Sequence, residues 1–585
     1  MPFRPLLLAA SLATSFVVIA DCTAADWLQW GYDAAHSANN PNESAITSAN
    51  VATLTRRYQV TLPNSVDSAP VFAAGIVTAS GTKDLLFLTA ENSKLMAVDA
   101  ATGVVVWSKT TSNTTTESSP AIDPNRQFVY SYGGDGKVHK YAIGTGVETT
   151  SGGWPQVATL KPSVEKGASA LAIATSGTNH YLYVVNDGYI GDGGDYQGHV
   201  TTINLATGTQ KVFNSLCSDL TLHMTLNGPP TTDCEIAQSG IWGRPGATYD
   251  AATNRMYITT GNGTFDANTG GLDWGDSVLA LHPDGTGSGS GLPLDSFTPS
   301  TFPTLDSQDI DLGSASLAIL PVAANSTVHH LGLQTGKDSK LHLIDLDDMS
   351  GAGVPGGVGG EVQLLDVPVD EQGMHTQPGI WVDTAGDGAT WVFMANGNGL
   401  SGLKLIYSSI HEPLLLSTWT QASDATSAIV ANGVLYHAGS CGGGSCMIAR
   451  NPHNGSVLWT SQTIGSLHWQ SPILVNGALY IAAGTKLDRF DLGTIPVTWS
   501  VTPSAGPHGQ IAPNTAQSVN EGATTAFTLT PDAHYAIDTV IGCGGSLSGF
   551  IYTTATITAD CTVSATFGPA ASDIIFRNGF ETSGH

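Results

Sequence analysis

Six of the seven cysteines form three pairs that are close in sequence: Cys217 and Cys234, Cys441 and Cys446, Cys543 and Cys561. Such pairs are expected to form local disulfides in an oxidising compartment. Cys441 to Cys446 reads CGGGSC, which is neither a CxxC redox motif nor a zinc motif. No CxxCH occurs, so no covalently bound haem is expected. HExxH, GxSxG and the P-loop are absent, which removes the simplest protease, esterase and nucleotide-binding readings. The acidic stretches DSQDIDLG (306–313) and DTAGDG (383–388) lack EF-hand spacing and read as turns. His329-His330 lies in an apolar strand and reads as structural.

The elements that carry these residues are strands. Charged residues make up 12% of the chain, about half the usual ~25%. Gly is 68 of 585, above the usual ~7%. A Gly-rich, weakly charged chain patterned with Val, Ile, Thr and Tyr reads as all-β with many tight turns. Lys+Arg is 21 against 48 Asp+Glu, a net charge of −27. That balance argues against nucleic acid and anionic membrane surfaces as partners.

Residues 1–25 read as an export signal: Arg4, then the apolar run Leu6–Ala20, then small residues before Asp26. The run is too short to span a bilayer comfortably, and Cys22 would be discarded with the signal. A secreted, periplasmic or cell-surface location follows, with no other segment long enough to cross a membrane.

One unit recurs through the middle of the chain, ending in a turn of the form D-x-x-T-G-x-x-x-W. Leu95–Trp107 (LMAVDAATGVVVW) and Met447–Trp459 (MIARNPHNGSVLW) are the clearest copies, and His199–Phe213 replaces the Trp with Phe. The turn glycines are Gly103, Gly146, Gly208, Gly285, Gly351, Gly455 and Gly493. The interval from Gly351 to Gly455 holds a further copy without the turn, Met374–Gly399, which makes eight units. Repeated four-stranded units predict an eight-bladed β-propeller over 26–493. The last unit stops near Leu492 without an outer strand, and Leu54–Val60 (LTRRYQV) can supply it, closing the ring. Residues 494–568 predict a small β-rich C-terminal domain, and 569–585 a tail.

The turn signature and DWLQWGYDAAHSANNPNESAITSANVATL (26–54) resemble the pyrroloquinoline-quinone (PQQ) propeller family over roughly 26–492. GIWGRPGATYDAATNRMYITTGNG (240–263) followed by DWGDSVLAL (273–281) resembles the stretch where the family's alcohol dehydrogenases place their functional groups. The resemblance implies that Trp242 is the floor on which the quinone stacks. It implies Asn262 as a metal ligand, and Asp276 as both catalytic base and metal ligand. GDGGDYQGHV (191–200) resembles the stretch that gives the metal its acidic ligand, which points to Asp195. TGKDSKLHLIDL (335–346) resembles the strand whose basic residue touches the quinone, which points to Lys337. PQQ and calcium are the implied cofactors.

That chemistry is coherent. A hard cation takes oxygen ligands and polarises a carbonyl, a carboxylate accepts the alcohol proton, and the quinone supplies the redox step. Each residue also has a structural reading: Trp242 as blade packing, Asn262 and Asp276 as turn residues, Asp195 as loop, Lys337 as a strand-end lysine. The family's adjacent cysteine pair is missing here. The 497–567 segment resembles InlB-type B repeats, and DIIFRNGFE (573–581) resembles a terminal motif of exported proteins. The expected function is PQQ-dependent oxidation of an alcohol, polyol or polymer, with electrons passed to an external acceptor. The alternative is a non-catalytic surface adhesion or scaffolding propeller, and a third reading is a carbohydrate-active propeller.

Overall fold

A computed structural model describes residues 25–112, 114–189, 191–369, 373–493 and 498–570. Residues 1–24 of the expected export signal (1–25) and residues 571–585 of the expected tail (569–585) lie outside the described residues. The chain divides into two units, one of residues 25–495 and one that begins at residue 496. Among the described residues no helix is long and apolar enough to cross a membrane. The one α-helix among them, Phe302–Gln308, is two turns long.

The described strands of the first unit form seven antiparallel-rich sheets, six of four or five strands and one of seven. A representative sheet runs Thr248–Asp250, Arg255–Thr259, Val278–Leu281, Asp295–Phe297 in sequence order. The seven-stranded sheet joins the two ends of the unit. Thr55–Val66 pairs antiparallel with Ala478–Asp491, with Thr55 opposite Asp491 and Val60 opposite Leu487. The expected sharing of a sheet by 54–60 and the last unit is therefore observed.

The repeat motif has a physical basis in this packing. All seven turn glycines have φ between +65° and +93°, a region that side chains with a Cβ rarely adopt. Two of them also make room for a tryptophan. A Cβ on Gly146 would lie 2.7 Å from the Trp107 ring, and one on Gly455 would lie 2.5 Å from the Trp419 ring. Each indole also donates to the neighbouring turn: Trp107 Nε1 to Ile143 O at 3.1 Å, Trp419 Nε1 to Pro452 O at 2.8 Å. Trp459 Nε1 donates to Leu54 O at 3.0 Å, beside the closing strand. The terminal Trp of one repeat is thus a tether to the next.

All three expected disulfides are present: Cys217–Cys234, Cys441–Cys446 and Cys543–Cys561. The described part of the second unit has two four-stranded sheets, with Thr498–Ala505 and Cys561–Pro569 paired in parallel. Val501, Ile511, Phe527, Leu529 and Val563 fill its core.

Candidate functional site

Asp276 sits in the connection before strand Val278–Leu281, at φ +45°. Its N–H donates to Gly261 O at 2.9 Å. The side chain is wholly buried. Oδ1 accepts the Leu312 N–H at 3.0 Å, while Oδ2 has no partner. Burial pushes its pKa up to about 8, and the nearby Asp311 charge adds to the rise.

Asn262 follows strand Arg255–Thr259 and is buried. Its N–H donates to Asp311 Oδ1 at 2.8 Å, and its C=O accepts the Ser239 N–H at 2.7 Å. Gly261 beside it has no room for a side chain, because a Cβ would lie 2.4 Å from Asp311 Oδ1.

Asp311 is the hub. It is buried, and besides Asn262 it holds Lys337 through an Oδ2–Nζ ion pair. Lys337 N–H donates to Asp311 O at 2.9 Å, and Asp309 Oδ1 stands 3.3 Å from its Nζ. Burial would lower the Lys337 pKa, but the Asp311 carboxylate outweighs it and the ammonium is held above its ordinary range. The same Nζ lies 5.3 Å from the centre of the Trp242 ring, over its face.

Four of the five expected residues thus converge: Asp276, Asn262, Lys337 and Trp242. Asp195 is not brought to them. Its Oδ2 accepts the Asn227 N–H at 2.8 Å, and its Oδ1 accepts from Gln197 Nε2 at 3.1 Å. The buried Lys161 ammonium stands 3.7 Å from that Oδ1 and 2.9 Å from Asp233 Oδ1. Asp195, Asp233 and Glu235 line a separate cavity of about 490 Å³.

Sequence reasoning missed other members of the cluster. Asp311 lies within the stretch read as a plain turn. His375 stacks on Trp469 with ring centres 5.0 Å apart and planes 2° from parallel, and lies 5.8 Å from Trp242. Arg244 lies 5.0 Å over Trp469 and pairs with Asp67 at 2.9 Å and Glu117 at 3.7 Å. Burial would raise the Asp67 pKa, but His468 and Arg244 hold it down at about 2. A positional signal was available. Asp67, Glu117, Arg244, His375 and Trp469 each stand four residues before the first strand of their hairpin, at Val71, Ala121, Thr248, Gly379 and Ile473.

The donor set at Asp276 and Asn262 is all oxygen, and the buried Asp276 Oδ2 lacks a partner. A hard cation fits both facts. Trp242 offers a flat face with a fixed cation beside it, which fits a planar anionic ring. Cys217, Cys234 and Asp273 also cluster, but the two sulfurs are bonded to each other and offer no thiolate.

Comparison with known proteins gives the fold a context. A family model of the PQQ_2 class, described as outer membrane protein assembly factor BamB, matches residues 44–339. No curated protein matches the sequence. Among solved structures, the quinohemoprotein alcohol dehydrogenase of Comamonas testosteroni is 15% identical with a TM-score of 0.56, over 81% of this chain and 82% of that one. A quinohemoprotein alcohol dehydrogenase of Pseudomonas putida HK5 is 15% identical with a TM-score of 0.57, over 82% and 83%. A europium-containing methanol dehydrogenase is 14% identical with a TM-score of 0.54, over 78% and 90%. At such identities the likeness is one of fold.

Proposed function

From the premise that the chain belongs to the PQQ_2 family, we propose that it is an exported, eight-bladed quinoprotein that oxidises an alcohol, polyol or polymer. The seven-stranded sheet counts as two blades in this reading, the first and the closing one. Electrons pass to an external acceptor, since the sequence has no haem-attachment motif. The 494–568 domain would then be an InlB B-repeat-like surface module.

The observation that supports this reading most is the Asp311 hub, which ties Asn262, Lys337 and, through the next residue, Asp276 into one cluster. Trp242 and Lys337 would hold PQQ; Asn262 and Asp276 would hold calcium. When bound, the quinone supplies the two-electron acceptor and the cation its polarisation. Asp276 is the group that takes the substrate hydroxyl proton. Leu312 N–H occupies Oδ1, so Oδ2 is the oxygen that would serve both the cation and the substrate hydroxyl. Burial raises the Asp276 pKa in the metal-free protein, and calcium at its carboxylate would offset this and favour the ionised form that can accept the proton. Lys337 keeps its charge through Asp311 and would, with the Trp242 face beneath its ammonium, hold a planar anionic ring. Asp195 is left out, because Lys161, Asn227 and Gln197 engage its carboxylate.

The test is dye reduction by protein incubated with PQQ and calcium, over a panel of alcohols. Asp276→Asn should abolish it while the variant melts as a folded protein. Dye reduction that survives Asp276→Asn refutes the assignment. The scaffolding alternative draws on the missing adjacent cysteine pair and on the surface-type module. It gains if PQQ neither binds nor supports turnover.

A further inference from the structure

Cys217, Cys234 and Asp273 bring two sulfurs and a carboxylate oxygen within 4.8 Å of one another. Among the described residues, neither of the other two disulfides has a third ligating side chain so close. Backbone and indole hydrogen bonds build this cluster. The Cys217 N–H donates to Asp273 Oδ1 at 2.8 Å. The Asp273 N–H donates in turn to Asp266 Oδ1 at 3.0 Å. On either side of Asp273, Leu272 O accepts the Ser218 N–H at 3.2 Å, and the buried Trp274 donates from Nε1 to Ser218 Oγ at 3.0 Å. None of these bonds passes through the S–S bond, so Asp273 stays beside Cys217 whether or not the sulfurs are joined.

The surroundings are acidic and open on one side. Burial raises the Asp273 pKa, and the neighbouring Asp266 and Asp219 charges add to the rise. A cation at Asp273 relieves that crowding. Cys234 lines the cavity of about 490 Å³ together with Asp195, Asp233 and Glu235. That cavity gives a small reductant or a metal ion a path to the sulfur.

We propose that Cys217, Cys234 and Asp273 form a redox-gated site for a thiophilic divalent cation, with zinc as its best match. In the oxidised chain the disulfide closes the site. A dithiol opens it. Two electrons and two protons pass from the dithiol to the S–S bond, which breaks into two thiols, and the dithiol leaves as a cyclic disulfide. The metal then displaces both thiol protons and takes two thiolates and one Asp273 oxygen. Two sulfurs and one oxygen suit zinc, whereas calcium and magnesium take oxygen ligands. Three protein ligands leave a fourth position for water from the cavity. The site is independent of the proposed quinone and calcium centre.

The test uses Co²⁺ alone as the probe, titrated into the full chain after reduction with dithiothreitol and its removal without air. The readout is the thiolate-to-cobalt charge-transfer band. Oxidised wild-type protein should give no band. Reduced wild-type protein should give a saturable band with a stoichiometry of one, which Zn²⁺ removes. Cys217→Ser should abolish it, while Cys441→Ser and Cys543→Ser should leave it unchanged. Asp273→Asn should weaken Co²⁺ binding by about tenfold or more. If reduction or Asp273→Asn loosens the fold, melting gives the second readout: Zn²⁺ should raise the melting temperature of reduced wild-type protein more than that of reduced Asp273→Asn. Reduced wild-type protein with neither band nor melting shift overturns the site. A band that survives Cys217→Ser, or an affinity indifferent to Asp273→Asn, also overturns it, since stray thiols would then hold the metal.

Discussion

The Leu312 amide donates to Asp276 Oδ1 at 3.0 Å and leaves Oδ2 bare in a fully buried setting. One backbone bond therefore decides which oxygen of this carboxylate is open for chemistry. The preceding residue, Asp311, uses its own oxygens to hold Asn262 and Lys337. Two consecutive residues thus organise the cluster.

Asp276 should tax the stability of the metal-free protein. Its pKa lies near 8 instead of the ordinary 3.8 because burial disfavours the charge. Between those values the native state keeps a proton that the unfolded chain has released, so stability falls as pH rises. Asp276→Asn should flatten this slope and stabilise the protein by on the order of 2–4 kcal/mol at pH 8, with little effect near pH 4. Denaturant titrations of both proteins in chelator, at the two pH values, measure it.

Asp311→Ala should be costly. It leaves the Asn262 N–H without an acceptor and the Lys337 ammonium without its main counter-charge. A loss of about 2–3 kcal/mol is expected, since Lys337 is only partly buried. Chemical denaturation reads the loss. A change below 0.5 kcal/mol would show that the hub does not hold the site together.

Two histidines form a matching pair of pH-dependent clamps. His342 is held by Asp338 at 2.8 Å and Glu361 at 2.9 Å, and His139 by Asp135 at 3.2 Å and Glu148 at 2.6 Å. Burial lowers both imidazole pKa values, but the paired carboxylates outweigh it and the net direction is up. Their stabilisation is complete below the unfolded value of about 6.5 and is lost as pH rises through the raised folded values. At the acid end, Glu361 and Asp135 have lowered pKa values, so their share is lost as pH falls through those. His342→Gln should cost about 1–2 kcal/mol near pH 6 and less at pH 9. Thermal melts across that range check the sign, and imidazole NMR titrations check the pKa directions.

The closing strand can be tested through its ion pairs. Arg56 Nε stands 2.8 Å from Asp488 Oδ1, whose side chain is fully buried. Burial pushes Asp488 up to about 6 even with Arg56 beside it. Arg56→Met should cost about 1–3 kcal/mol by removing that carboxylate's nearest cation, with Gln59 Nε2 still donating to it at 3.0 Å. Adding Asp488→Asn should recover part of the loss. Urea unfolding of the single and double variants measures both terms.

Much of the fold was legible because its repeat has a local cause. A positive-φ glycine that also receives a neighbour's indole leaves a spaced Gly and Trp, as at Gly146 with Trp107. The partner of the orphan last strand was legible for the same reason: LTRRYQV had no unit of its own. The site was legible only in part. Trp242, Asn262, Asp276 and Lys337 sit in recognisable motifs, but Asp311 gains its role from long-range contacts to Asn262 and Lys337 that no local pattern encodes. Asp195 lies in a loop rich in Gly and Asp, where register is weakly specified. What engages it is Lys161, 34 residues earlier in the chain. Arg244, His375 and Trp469 come together across the sheets, and only their shared offset from a strand start marks them.

The most direct test of the account is PQQ binding itself. PQQ titrated into the calcium-loaded full chain should give a saturable change in quinone absorbance with a stoichiometry of one. Tryptophan emission should be quenched in step, and Trp242→Ala should weaken binding by about tenfold or more, in line with the ~1–3 kcal/mol that aromatic stacking contributes. Unchanged quinone absorbance at saturating calcium, or binding indifferent to Trp242→Ala, would contradict it.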